Sequence, residues 1–200
     1  MVATVPHMGN IYIAVKALFD GLGIEYIIPP QNNDEALNIG TKYSPEEICL
    51  PFKIMIGNYI QAIEKGADTV ILTGSCGPCR FGEYCELQIN LMKSLGYDLN
   101  FIVLDMPKDI GIKELIKRIA SIGATSNKRK LEKLKAAKNA IQIMHLIDET
   151  EALSHYLAGY ERNKGECKRL LNECKKEAME LSNPGEVLSL IKEYNNKLKY

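Results

Sequence analysis

Short apolar runs alternate with stretches of helical periodicity through the first 105 residues, and this alternation constrains the fold more than any other feature. Val2–Val5 reads as a strand, and residues 10–22 set Ile11, Val15, Leu18, Phe19 and Leu22 along one helical face. Gly23 stops that helix, and Ile24–Ile28 reads as a second strand closed by Pro29-Pro30. Ser44-Pro45-Glu46-Glu47 has the form of a capping box with proline in the first turn, which predicts a helix from Ser44 to about Gly66. Thr69–Thr73 is a third strand, Glu83–Leu95 a helix and Phe101–Leu104 a fourth strand. Strands separated by helices need right-handed crossovers and so form a parallel sheet. The expectation is an α/β fold, with an open parallel sheet of about four strands inside residues 1–107.

After Pro107 the pattern becomes helical, over 110–122, 128–160, 165–181 and 185–198. Gly123, Gly159-Tyr160 and Asn183-Pro184-Gly185 punctuate it. Residues 108–200 therefore read as a helical region that packs on the sheet or on a partner. The polar stretch 32–43, with Asn32, Asn33, Asp34 and Gly40, reads as a mobile loop.

Four cysteines, Cys49, Cys76, Cys79 and Cys85, are clustered in the first half, and three of them follow the Thr69–Thr73 strand on a Gly/Pro-rich loop. In an open parallel sheet, ligands gather beyond the C-terminal strand ends. The segments leaving those ends are Pro6 to Asn10, Pro29 to Asn32, Gly74 to Cys85, and Met106-Pro107. Pro51 cannot donate a helical N–H, so the chain is expected to kink near Cys49 and bring it toward the loop. No basic segment precedes the apolar start, and no run approaches the roughly 18 apolar residues of a membrane span. The reading is a cytoplasmic chain with reduced thiols, so metal binding outranks disulfides.

Thiolates at this spacing fit an iron–sulfur cluster better than zinc, because zinc prefers two close pairs and only Cys76-Gly77-Pro78-Cys79 is a pair. Unligated thiols are the third reading. His7, beside Gly9, is a candidate to hydrogen-bond a bound group or donate a proton, against an ordinary loop histidine. Arg80 is a candidate to pair with cluster sulfide or an anionic substrate, against a salt bridge to Glu83. Cys167 and Cys174, seven apart on one helix, read as small core residues, and His145 and His155 as ordinary helix residues. Net charge is zero, but residues 111–140 carry nine Lys and Arg against two Glu. That stretch lacks the aromatics that stack bases and reads as a solvated helical face, so neither nucleic acid nor membrane is an expected partner.

Three segments together carry a resemblance. Thr4-Val5-Pro6-His7-Met8-Gly9-Asn10, Ser44 to Lys53, and Gly77-Pro78-Cys79-Arg80-Phe81-Gly82 resemble the 2-hydroxyacyl-CoA dehydratase superfamily, and more narrowly its activase-related proteins. The resemblance implies Rossmann-like subdomains holding a [4Fe–4S] cluster or a double-cubane variant. It implies an ATP-hydrolysing activator with an actin/Hsp70-like fold that injects one electron, an acyl-CoA-type substrate, and a homo- or heterodimer. Cys49 and Cys79 are the implied ligands within the matching motifs; the related pattern carries glycine where Cys76 and Cys85 stand. This chain is shorter than those enzymes and has no P-loop, so ATP hydrolysis falls to a partner. The alternative is a non-enzymatic scaffold or electron carrier that holds zinc or a transferable cluster and binds a partner through its helices.

Overall fold

The computed structural model describes residues 1–74, 83–104 and 111–199. In chain order its elements are β1 (Ala3–Thr4), α1 (Ile11–Leu22), α2 (Asp34–Tyr43), α3 (Leu50–Ile63), β2 (Thr69–Thr73), α4 (Tyr84–Ser94), β3 (Asn100–Leu104) and α5 (Ile112–Ile122). A 3₁₀ turn at Gly123–Thr125 follows, then α6 (Lys130–Leu157), α7 (Glu166–Glu180) and α8 (Pro184–Lys197). Among these residues no helix is long and apolar enough to cross a membrane.

The fold is α/β, but the described sheet has three parallel strands in the order β1-β2-β3, not four. The expected strand at 24–28 shrinks to a single parallel bridge between Ala3 and Tyr26. Ala3 N–H donates to the Glu25 carbonyl at 2.9 Å, and Ile27 N–H donates to the Ala3 carbonyl at 2.8 Å. Pro6 on one side and Pro29-Pro30 on the other have no N–H to extend that ladder. In β2 every residue from Thr69 to Leu72 is buried, as the apolar run of a strand covered on both faces requires.

The chain divides into two compact units, and they are not the consecutive blocks 1–107 and 108–200. The first holds Met1–His7 and Ile24–Ser126; the second holds Met8–Gly23 and Asn127–Tyr200. Helix α5 stays with the sheet, where Arg118 Nη1 donates to the Val103 carbonyl of β3 at 2.8 Å. Helix α1 instead buries Tyr12, Ile13, Ala14, Ala17 and Phe19 in the helical unit.

In the first unit, the stretch expected to be a mobile loop is helix α2. Asn33 Oδ1 accepts the Ala36 N–H at 2.8 Å, and Asp34 and Glu35 occupy the first turn, where the helix dipole favours carboxylates. The Ser44-Pro45-Glu46-Glu47 segment, expected to open a helix, instead follows the end of α2. Ser44 is its C-cap, and the Ser44 hydroxyl is buried without a hydrogen-bond partner. Helix α3 starts at Leu50 with Cys49 as N-cap and Pro51 in its first turn. Proline costs nothing there because first-turn N–H groups have no helical acceptor, so the expected kink is a helix start. Phe52, Ile56 and Tyr59 of α3, Val70 of β2 and Met92 of α4 form the fully buried core. Phe52→Ala is expected to cost about 3–5 kcal/mol, measured by urea unfolding.

The second unit is a four-helix packing of α1, α6, α7 and α8. Its buried residues recur at intervals of three and four, the spacing of one helical stripe. They are Ala136, Ala140, Ile143, Ile147, Thr150 and Ser154 on α6, and Cys167, Leu171, Cys174 and Ala178 on α7. Val187, Ile191 and Tyr194 supply the α8 stripe. Polar members of these stripes are paired: Asn195 Nδ2 donates to Thr150 Oγ1 at 3.0 Å, and Ser154 Oγ donates to the Cys167 carbonyl at 3.1 Å. The buried Lys16 ammonium lies 2.7 Å from Asp20 Oδ2 and 2.8 Å from the Leu181 carbonyl. Lys16→Ala removes the cation from a half-buried carboxylate and a carbonyl together, and is expected to cost about 3 kcal/mol in a urea titration.

Candidate functional site

Because the strands are parallel, Pro6-His7, Gly74 and the chain after Leu104 all leave from one sheet edge. Cys76, Cys79 and Arg80 lie outside the described residues, as does Met106-Pro107. Cys49 and Cys85 can be placed.

Cys49 is exposed at the N-cap of α3. Its sulfur accepts a hydrogen bond from the Tyr84 hydroxyl at 3.1 Å. One turn along α3, Phe52 meets the same tyrosine edge to face, with ring centroids 5.1 Å apart and an interplanar angle of 84°. Tyr84 opens α4, and Cys85 is the next residue, half-exposed. The start of α3 is thereby fixed against the start of α4, which follows the Cys76–Cys79 segment in sequence. Beneath lies a buried chain of polar contacts: Tyr59 OH donates to Gln88 Oε1 at 3.1 Å, and Gln88 Nε2 donates to Met55 Sδ at 3.5 Å. Burial, and secondarily the Cys85 sulfur, push the Tyr59 hydroxyl far above the usual tyrosine range. The hydroxyl therefore stays protonated as a donor.

The four cysteines among the described residues thus fall into two environments. Cys49 and Cys85 reach solvent, whereas Cys167 and Cys174 are core residues of the helical unit. Burial raises both of those thiols, Cys174 to about 11, which keeps them protonated and poor ligands. Among the described residues, no group of three or more His, Cys, Asp or Glu side chains is arranged to hold a metal ion. His145 and His155 are exposed on α6.

His7 is half-buried at the sheet edge rather than a loose surface residue. Its Nε2–H donates to the Pro29 carbonyl at 2.6 Å, and its backbone N–H donates to Asn58 Oδ1 at 3.2 Å. Asn58 lies nine residues into α3 from Cys49, or about 13 Å of helical rise, so the histidine meets the helix well away from the cysteine. Asn58 Nδ2, on the amide whose oxygen takes the His7 N–H, and Thr4 Oγ1, three residues before His7, are buried without a hydrogen-bond partner. Such orphans are where a water or ligand atom fits. Desolvation lowers the His7 pKa, against a smaller opposing effect of the Pro29 hydrogen bond. The folded state therefore binds this proton less readily than the unfolded chain. The stabilisation is full above the ordinary histidine value of about 6.5 and is lost as pH falls below it. His7→Gln, which keeps an Nε2–H donor, is expected to flatten the fall in urea midpoint between about pH 6.5 and pH 5 relative to the parent chain.

Asn10, in the same N-terminal segment, belongs to the helical unit. Its amide donates to Glu151 Oε2 at 2.7 Å and Asp148 Oδ1 at 3.3 Å of α6. Lys175 Nζ closes on Glu151 Oε1 at 2.6 Å, and this hydrogen bond is the main reason the Glu151 carboxyl is held below its ordinary range. A cleft of about 550 Å³ in the helical unit, lined by Leu157, Cys167, Leu170 and Lys197, has charged walls that are largely self-paired. Glu161 there accepts the Gly165 and Cys167 N–H groups, and Lys197 pairs with Glu193 at 2.7 Å.

Residues 4–73 match the family model described as CoA enzyme activase uncharacterised domain (DUF2229). The matched segment runs from β1 to the end of β2 and includes His7 and Cys49; it stops before Cys76. It is consistent with the activase-related branch of the 2-hydroxyacyl-CoA dehydratase superfamily, at that level and no finer. No curated protein and no solved structure matches the chain.

Two partners of the site have no periodic signal in the sequence. Asn58 and Gln88 sit at core-facing helix positions where apolar residues are the default. Tyr84 carries no signal beyond its place next to Cys85 at the start of a helix.

Proposed function

We propose that this chain is an iron–sulfur protein of the CoA enzyme activase and acyl-CoA dehydratase system. Cys49, Cys76, Cys79 and Cys85 are the ligand set, for a [4Fe–4S] cluster or a double-cubane variant. An ATP-hydrolysing activator with an actin/Hsp70-like fold is the electron donor, and an acyl-CoA-type molecule is the substrate to be dehydrated or reduced. The family match over residues 4–73 supports the system. The observation that carries the ligand set is the Tyr84–Cys49 hydrogen bond, which ties Cys49 to the helix start bearing Cys85. Thiols that ligate must be reachable and deprotonated, and Cys49 and Cys85 are reachable where the core pair is not.

When bound, such a cluster supplies one-electron transfer at low potential. The protein's own part is to hold and tune it. The Tyr84 O–H donates to the Cys49 sulfur, and a hydrogen bond to a ligating sulfur withdraws charge and raises the potential. His7, which burial keeps neutral, and Arg80 are assigned to the substrate: the arginine to an anionic group, the histidine to a hydrogen bond or proton. Anaerobic purification followed by iron and acid-labile sulfide analysis, with EPR after reduction, tests this reading. About four of each per chain, or about eight for a double cubane, is the expected result. Stoichiometric zinc without iron or sulfide would replace it with the non-enzymatic scaffold.

A further inference from the structure

Helix α6 carries a second stripe on the face opposite its buried seam. Leu131, Leu134, Lys138, Ile141, Glu149 and Tyr156 fall along it, and every one is exposed. The apolar members are exposed well beyond what an isolated surface residue needs: Leu131 by 80%, Leu134 by 68%, Ile141 by 55% and Tyr156 by 68%. Charge divides the helix in two. Six of the eleven residues 128–138 are Lys or Arg, with Glu132 the one acid among them. From 139 to 161 there is no Lys or Arg, and Asp148, Glu149 and Glu151 follow one another.

We propose that this face is covered by the α6 of a second copy of the chain, running antiparallel across a two-fold axis near residue 143. An isologous contact must be self-complementary, so residue x of one copy meets residue 286 minus x of the other, roughly. That operation places Lys138 of each copy against Asp148 and Glu149 of the other. It sets Ile141 against His145, and Leu131 and Leu134 against the Ala152 to Tyr156 turn. A parallel pairing would stack the cationic halves on each other, and like charges face to face are disfavoured. A helix basic at one end and acidic at the other, with apolar residues at both, selects the antiparallel arrangement. The stripe from Leu131 to Tyr156 spans about 39 Å at 1.5 Å per residue. At about 10 Å wide it covers roughly 400 Å² per copy, small for an obligate dimer and suited to a reversible one. The proposal uses none of the cysteines and stands apart from the cluster assignment.

Sedimentation equilibrium of the full chain, from about 5 to 500 μM and at about 50 and 500 mM NaCl, tests it. The dimer fraction should rise with concentration and fall with salt. Lys138→Glu and Glu149→Lys should each weaken association at least tenfold. The double variant, which restores opposite charges across the axis, should return to within about threefold of the parent chain. These positions are exposed, and circular dichroism checks that each variant keeps its helix content. A chain that stays monomeric at the highest concentration overturns the proposal. So does a double variant no better than the singles, since it would show that the two charges do not face each other.

Discussion

Gly57→Ala should unfold this protein with a loss of about 2–4 kcal/mol, although alanine is the better helix former by about 1 kcal/mol. The reason is the crossing of α2 and α3. A Cβ at Gly57 would overlap the Ala36 carbonyl and lie 2.6 Å from the Ala36 Cα. Gly40 answers from the other helix: a Cβ there would overlap the Lys53 carbonyl and lie 3.0 Å from the Lys53 Cα. Side chains can swing aside, but these are backbone atoms, so the helices themselves must separate. Steric overlap therefore outweighs propensity, and Gly40→Ala should behave alike. Gly159→Ala is the control, because its Cβ would meet only the Tyr156 carbonyl at 3.9 Å; it should stay within about 0.5 kcal/mol. Urea unfolding followed by circular dichroism reads all three. A Gly57→Ala chain as stable as the parent would mean that the two helices are not packed backbone to backbone.

Cys49→Ser should strip most of the iron and sulfide from anaerobically purified protein, while Cys174→Ser should leave both unchanged. The two thiols differ in surroundings rather than in chemistry. Cys49 stands exposed at a helix N-cap with a hydroxyl donor on its sulfur, whereas Cys174 is fully buried among core side chains. Serine at 174 places a hydroxyl in the core and should lower stability by about 1–3 kcal/mol without touching cluster content. Tyr84→Phe keeps the ring contact with Phe52 and removes only the hydroxyl. It should retain the cluster and lower its midpoint potential, read by EPR-monitored titration. Full iron occupancy in Cys49→Ser would remove Cys49 from the ligand set.

Much of the fold can be read from periodicity because burial imposes it. The β2 run is buried on both faces and α6, α7 and α8 each bury one continuous stripe, and their boundaries fall within a few residues of the Gly and Asn-Pro punctuation. Two errors share a cause. The 32–43 segment looks like a loop because Asn33, Asp34 and Gly40 are loop formers in general; here one is an N-cap, one a first-turn acid and one a contact point for another backbone. Ser44-Pro45-Glu46-Glu47 has the letters of a capping box, but the helix starts five residues later, because Ser44 is already the cap of the preceding helix. Local residue type cannot separate these uses; tertiary contact does. At the site, Cys49 was legible as a cysteine near a helix start, while its tie to Tyr84 spans 35 positions and leaves no local trace.

The interleaving of the two units bears on how the molecule is made. Helix α1 belongs with α6, α7 and α8, yet more than a hundred residues are synthesised between them. Until the last of those partners leaves the ribosome, the Tyr12, Ile13 and Phe19 face has no bundle to enter. The sheet unit, complete at Ser126, can close first around its own core. A fragment ending at residue 126 would therefore freeze the chain at that intermediate stage, with an apolar helix still waiting, and nascent chains at the same length are the stage at which a holding chaperone is most needed.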